Sequence, residues 1–291
     1  MLQSQKHKVR LLLRINLKIA FIGDIVGRPG RKIIKDNLTK IKEEFSIDFV
    51  IANGENASHG FGLTIKNCDE LLKMGIDLIT GGNHSFDKKK DMMVLLETKP
   101  VLRPDNYPEG LIGSGLKVCD VQTANGIEKL AVINLMGQFA MPTVENPFNW
   151  AKKLLLQLQE DGIKNIFVDF HAEATSEKRI LLMMLQNQVS GICGTHTHIG
   201  TDDLQIFNNT AYLTDIGLTG CRDNVIGMDK KVPIQKATTG LGGHFEVPST
   251  GKSILQIMVV DIDEDGKARD CFKIKKLCNQ NEYIITKAMI D

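Results

Sequence analysis

The chain has 291 residues, 42% of them hydrophobic and 24% charged, with a formal net charge of +1. That profile reads as a soluble globule with one large α/β domain, and it excludes a polyanion groove or acidic tail built on bulk charge. Six scattered cysteines without a Cys-x-x-Cys pair read as reduced thiols of a cytoplasmic protein, and no apolar run of 18 or more residues is present to span a membrane.

Residues 1–17 read as a basic extension. Lys6, His7, Lys8 and Arg10 precede Leu11-Leu12-Leu13, but Arg14 and Asn16 interrupt the apolar stretch too early for a signal peptide. Residues 18–291 are expected to form a single domain. Lys18 to Ile22 is an apolar run ending in Gly23-Asp24, a first buried strand. Pro29 suits the first turn of a helix whose face carries Ile34, Leu38, Ile41 and Phe45. Asp48 to Ala52 is a second strand running into Asn53-Gly54-Glu55-Asn56. Thr64 is placed to cap a helix carrying Ile65, Cys68, Leu71 and Leu72, with Gly75 at its end. Asp77 to Thr80 is a third strand, closed by Gly81-Gly82-Asn83-His84, and Lys88 to Glu97 a third helix. Alternating strands and helices predict a mostly parallel sheet with helices on its faces.

Residues 99–128, broken by Pro100, Pro104 and Pro108, are a candidate cap over one end of the site, with Leu116 to Val121 as an edge strand. Lys129 to Leu135 and Asn165 to Phe170 read as strands, Trp150 to Gln159 and Thr175 to Gln188 as helices. Gly191 to Gly194 then delivers Gly-Thr-His196-Thr-His198. If the backbone stays extended there, both imidazoles lie on one side of it. Hairpins are expected over residues 203–214 and 254–274. The Gly-rich, polar stretch 217–251 between them reads as a long, partly mobile loop near the site.

In open α/β sheets ligands collect beyond the carboxyl ends of the strands. Asp24, Glu55, Asn56, Asn83, His84, His171, His196 and His198 all sit at such ends. Carboxylates, carboxamides and imidazoles without a thiolate suit hard or borderline divalent ions, with iron, manganese or zinc plausible. There are too many for one tetrahedral ion, whereas a carboxylate bridging two ions would use them as a two-metal hydrolase does. Each residue has a plainer reading: Asp24 as a helix cap, Glu55-Asn56 as loop surface, Asn83 as a turn residue, His171 as a core histidine. The run Gly23 to Gly30 matches neither Gly-x-Gly-x-x-Gly nor a phosphate loop ending in Lys-Ser/Thr. His59 reads as a substrate loop or surface residue, and His7 and His244 as structural or exposed.

Lys18-Ile-Ala-Phe-Ile-Gly-Asp-Ile-Val-Gly-Arg-Pro-Gly30, Ala52-Asn-Gly-Glu-Asn-Ala-Ser-His-Gly60, Thr80-Gly-Gly-Asn-His-Ser-Phe-Asp87, Leu102-Arg-Pro-Asp-Asn-Tyr-Pro108, Asp169-Phe-His-Ala-Glu-Ala-Thr-Ser176 and Gly194-Thr-His-Thr-His198 together resemble the calcineurin-like metallophosphoesterases, most closely the YmdB family of bacterial phosphodiesterases. The broad superfamily carries Asp-x-His after its first strand. Here Val26 stands in the third position, and the narrower family implies Asn56 in its place and Glu55 as the bridge. The resemblance implies a sandwich of two mixed β-sheets flanked by helices. It further implies Asp24, Glu55, Asn56 and His198 on one cation and Glu55, Asn83, His171 and His196 on the other. The cations would be iron or manganese first, with zinc or magnesium as alternatives. His84 is then the proton donor to the leaving oxygen, a hydroxide held between the cations is the nucleophile, and the substrate is a phosphodiester such as a cyclic nucleotide or an RNA-derived one. A homo-oligomer is also implied.

Two rival readings remain at this stage. Amidohydrolase barrels place His-x-His near the start of the chain, which disfavours them. A regulatory protein that binds metal or nucleotide with low turnover uses the same ligands.

Overall fold

Leu17, Ile19 and Phe21 alternate with Ala20 and Ile22, and the two sets pack into different cores on opposite faces of one strand. In the computed structural model, which describes residues 15–290, this is β1 (Ile15–Ile22). It begins three residues ahead of the expected Lys18, so Ile15 to Leu17 belong to the sheet rather than to an extension. Lys6, His7, Lys8 and Arg10 lie outside the described residues. The chain continues through α1 (Gly27–Phe45), β2 (Phe49–Asn53), α2 (Ile65–Lys73), β3 (Leu78–Thr80) and α3 (Lys89–Thr98). Thr64 caps α2 by accepting a hydrogen bond from the Asn67 amide at 3.3 Å, which anchors the helix start where the cap residue sits.

β1, β2 and β3 are parallel, as the alternating pattern predicts. The sheet as a whole is not. The C-terminal hairpin β11 (Ser253–Asp263) and β12 (Ala268–Leu277) joins it antiparallel to β1. β13 (Tyr283–Lys287) extends its edge and the short β10 (Gly220–Cys221) lies beside β11. The second sheet runs in the order β14 (Met289–Ile290), β8 (Gln205–Phe207), β9 (Thr210–Leu213), β7 (Gly191–Thr195), β6 (Asn165–His171), β5 (Gly126–Met136), β4 (Leu116–Thr123). β4 is its edge strand, as expected.

The inward faces of the two sheets share one core. Phe21 of β1 meets Phe167 of β6 with ring centroids 5.2 Å apart, among Leu17, Ile51, Leu130 and Leu213. On the outer face of the first sheet Leu38, Ile41 and Leu71 of α1 and α2 form a second core. Leu154, Leu158, Leu181 and Leu182 of α4 (Pro147–Glu160) and α5 (Thr175–Leu185) form a third over the other sheet. Each such side chain contributes about 1.5–3 kcal/mol on burial. This is the two-sheet sandwich with outer helices that the resemblance implies.

Residues 217–251 are more structured than a loop. They hold β10 and α6 (Lys231–Thr239), no residue of which is buried. A helix with no buried face leaves no apolar period in the sequence, which is why the pattern hid it. β13 and β14 were hidden for a related reason, since their side chains are mostly exposed.

Candidate metal centre

The two sheets meet at one end through a buried polar seam. Asn53, at the end of β2, donates to Gly81 O and to Asp169 Oδ2, each at 3.1 Å. The Thr80 hydroxyl donates to the same oxygen at 2.5 Å and the Thr195 hydroxyl to Asp169 Oδ1 at 2.7 Å. Asp169 is fully buried, and burial pushes its carboxyl up to about 7 against the pull of Thr80 and His171. Having given its proton to Asp169, Thr195 accepts from His171 Nδ1 at 3.0 Å. This turns His171 Nε2 toward the end of the sandwich, as an outer hydrogen-bond partner does for a ligating imidazole.

Around His171 Nε2 lie Asn83 Oδ1 at 2.8 Å, His196 Nδ1 at 3.2 Å and Glu55 Oε1 at 3.2 Å. One donor atom from each of Glu55, His171 and His196 falls within 4.8 Å of the others. Burial would lower the His171 pKa, but Glu55, Asp24 and Asp169 outweigh it and raise it to about 9. Burial would likewise raise Glu55, yet His171 and the His84 amide hold it at about 2. The negative field that favours a proton on His171 equally favours a cation in its place. Burial and His171 together lower His196 to about 3, so its ring is neutral. Its Nε2 lies 3.2 Å from Glu173.

Asp24, His198 and Asn56 make an adjoining group. Asp24 is wholly buried and its pKa is raised, chiefly by that burial. Its Oδ1 has no hydrogen-bond partner and stands 3.9 Å from His198 Nε2. His198 Nδ1 donates to Ile226 O at 2.8 Å, which leaves Nε2 facing Asp24 and Asn56. That atom is 3.2 Å from Asn56 Nδ2, and a half-turn of the carboxamide presents Oδ1 there instead. Asp24 is not a helix cap, because the cap of α1 is Val26.

The donor set fits divalent cations. Lone pairs converge, one buried carboxylate oxygen is unpaired, and the set is carboxylate, carboxamide and imidazole without thiolate. Gly82 makes this approach possible, since a Cβ there would sit 2.3 Å from Glu55 Oε2 and 2.5 Å from His171 Nε2.

The histidine pair is held by a strained turn rather than an extended backbone. β7 ends at Thr195, and His196 (φ 101°) and His198 (φ 64°) both take left-handed conformations, which are unfavourable for residues with a Cβ. The reason for expecting both imidazoles on one side was therefore wrong, although both do reach the site. The turn is supported from beneath. Buried Lys178 donates to Thr195 O at 2.9 Å and Asp215 Oδ2 at 2.7 Å, and Asp215 accepts from the Thr197 and Gly217 amides at 3.2 and 2.8 Å.

His84 borders the group. Its amide donates to Glu55 Oε2 at 2.9 Å, and its Nδ1 lies 2.8 Å from Asp87 Oδ2. Its ring meets Phe61 edge-on, centroids 5.0 Å apart. Beside it opens a cleft of about 210 Å³ that includes Glu55, Asn56, His196 and His198, and also Phe61, Ile226, Met228 and Phe245. No residue of 99–128 is among those lining it, whereas Val225, Ile226, Met228, Pro233 and Phe245 of 217–251 are. His59 and His244 are exposed and do not line it.

All eight strand-end residues thus gather at one place. Asp87, Glu173, Asp169, Lys178 and Asp215 were not anticipated. Asp87 carried a signal, three residues after His84 as in a short turn. Lys178 and Asp215 carried none, being a lone lysine on a helix and a lone aspartate in a loop.

A family model described as YmdB-like protein matches residues 20–274. The chain is 41% identical over 269 residues to a 2',3'-cyclic-nucleotide 2'-phosphodiesterase of Bacillus subtilis (strain 168), covering 92% of this chain and 99% of that protein. Among solved structures, a novel phosphatase of Mycoplasma pneumoniae superposes with a TM-score of 0.83 at 34% identity, over 90% of this chain and 93% of that one. A hypothetical protein of Thermus thermophilus gives 0.81 at 32% identity, over 94% and 100%.

Proposed function

The chain belongs to the YmdB-like family, and from that premise we propose that it hydrolyses phosphodiesters, with 2',3'-cyclic nucleotides as the substrate class, at two divalent cations. The observation that carries this reading is the convergence of Asn83, His196 and Glu55 within 3.2 Å of His171 Nε2, beside the His84–Asp87 pair, whose Nδ1 and Oδ2 are 2.8 Å apart. Asp24, Glu55, Asn56 and His198 would hold one cation and Glu55, Asn83, His171 and His196 the other. When bound, the cations supply Lewis-acid polarisation of the phosphoryl group and activation of water.

The chain's own residues do the rest. The Glu55 carboxylate is kept ionised by His171 and is positioned by accepting from the His84 amide. Asp87 holds the Nδ1 proton of His84, so the transferable proton is on Nε2, and His84 delivers it to the departing alkoxide. Apolar residues of 217–251 line that side of the cleft. Donors of this kind suit iron or manganese, with zinc or magnesium as alternatives. The reading also includes a cytoplasmic homo-oligomer, which light scattering on the purified chain and localisation in cells would test. No helix among the described residues is long and apolar enough to cross a membrane.

The deciding experiment measures metal content and turnover of 2',3'-cyclic AMP before chelation, after chelation and after adding iron or manganese back. We expect about two ions per chain and activity that vanishes and returns with them. Two ions bound with no turnover of any phosphodiester would leave only a metal-binding regulatory protein.

A further inference from the structure

The cleft is chemically divided. Its floor is made of Glu55, Asn56, His84, His196 and His198, while the adjoining wall is hydrocarbon: Phe61, Val225, Ile226, Met228, Pro233 and Phe245. None of these six wall residues is charged or carries an amide side chain, although the exposed Lys236 places its Nζ 5.6 Å from the centre of the Phe245 ring. Phe61 and Phe245 pack, with Val26, Leu218 and Met228, into a small cluster separate from the three main cores. Yet both rings are only half-buried, so part of each aromatic surface is left open. Apolar surface gathered beside a buried polar floor marks a ligand site rather than a core.

The wall is also set at a fixed distance from the floor. Phe61 lies edge-on to His84 at 5.0 Å, and Ile226 carries the carbonyl that accepts from His198 Nδ1 at 2.8 Å. Ile226 takes a left-handed φ of 44° to present it, a strained conformation for a β-branched residue and one the surroundings must enforce. A substrate whose phosphate sits over the floor therefore meets the aromatic wall with its adjoining part. At about 210 Å³ the cleft is smaller than the roughly 300–1,000 Å³ of a site for a drug-sized ligand. That scale suits a ring-sized group rather than a folded polymer.

We propose that this apolar wall is a nucleobase slot, which takes the base of the nucleotide by stacking on Phe61 and Phe245 and reads none of the base edges. The proposal rests on the phosphodiesterase reading and deepens it. Stacking tolerates every base because each has a π-face, and discrimination between bases needs hydrogen-bonding groups aimed at their edges, which the wall lacks. The slot therefore demands a base without choosing which one.

The test compares kcat/KM of the metal-loaded enzyme for the four 2',3'-cyclic nucleotides and for methyl riboside 2',3'-cyclic phosphate, which has no base. We expect the four nucleotides within about tenfold of one another. The base-free substrate should be about 5- to 150-fold poorer, the fold-change that corresponds to stacking one base. In Phe245→Leu, which keeps bulk but has no ring, the ratio of nucleotide to base-free substrate should fall by about tenfold, and Phe245→Trp should restore it. Calorimetric binding of adenosine 3'-phosphate against ribose phosphate reads the slot without turnover, and the same dependence on residue 245 is expected there. Equal binding of the two overturns the slot whatever the activity. Base-dependent binding without turnover overturns the phosphodiesterase reading and leaves the slot standing. A spread beyond about 100-fold among the four bases overturns edge-blind stacking, and faster hydrolysis of an alkyl glycerophosphodiester than of any nucleotide assigns the wall to a lipid instead.

Discussion

The floor and the wall of the cleft are built in opposite ways. The floor stands on strand ends, and its second layer is a closed set of hydrogen bonds. Asp169 gathers Asn53, Thr80 and Thr195, and Lys178 joins the histidine turn to Asp215. The wall is hydrocarbon carried by Phe61 and by residues 225–245, whose helix buries nothing, and it is tied to a floor imidazole through the Ile226 carbonyl. Chemistry needs its groups held to fractions of an ångström. Accepting a variable ring needs only a greasy surface at about the right distance, and the two halves of the cleft are constructed accordingly.

Substitutions test that contrast, and the largest effect belongs to the floor. His84→Ala should lower kcat on 2',3'-cyclic AMP by about 10²–10⁴-fold, the usual contribution of a general acid, while bound metal stays unchanged. The loss should shrink on bis-p-nitrophenyl phosphate, whose leaving group needs no proton, and an equal loss on both substrates would sink the assignment. Next comes the support beneath the floor. Lys178→Ala strips Asp215 of its buried partner, and both side chains are about 1% exposed. Breaking such a pair costs about 3–5 kcal/mol, which urea denaturation measures, and the metal content of the folded fraction should fall as the histidine turn loosens. A loss below about 1 kcal/mol would mean that the turn is held by something else. The smallest effect should come from the exposed helix of the wall. Ile234→Ser, at a side chain 52% exposed, should change stability by less than about 0.5 kcal/mol and leave turnover within twofold. A large change in either would show that α6 is packed more tightly to the site than its exposure implies.

Much of this was legible in the sequence, and what was missed has physical causes. Thr64 and the parallel β1, β2 and β3 were read correctly because caps, short apolar runs and the helices between them are written in neighbouring residues. The eight strand-end residues were singled out for a similar reason, since each lies within about five residues of the end of an apolar run. Residues 99–128, expected as a cap, supply no lining residue of the cleft; prolines and glycines mark an irregular backbone without saying where it goes. The wall in 217–251 was taken for a loop because an exposed helix carries no apolar face.

The sequence by itself determined the elements with buried faces, the residue types at the strand ends, and hence the class of chemistry. All of these depend on local pattern. Only the tertiary structure decided that the C-terminal hairpin would make the first sheet mixed, and that Asp169 from one sheet would bond Asn53 and Thr80 from the other. It likewise decided which nitrogen of His171 and His198 faces the centre, and that Phe61 and Phe245, far apart in the chain, line one wall. Those outcomes depend on hydrogen-bond partners and packing neighbours distant along the chain, and no spacing within a segment records who those neighbours will be.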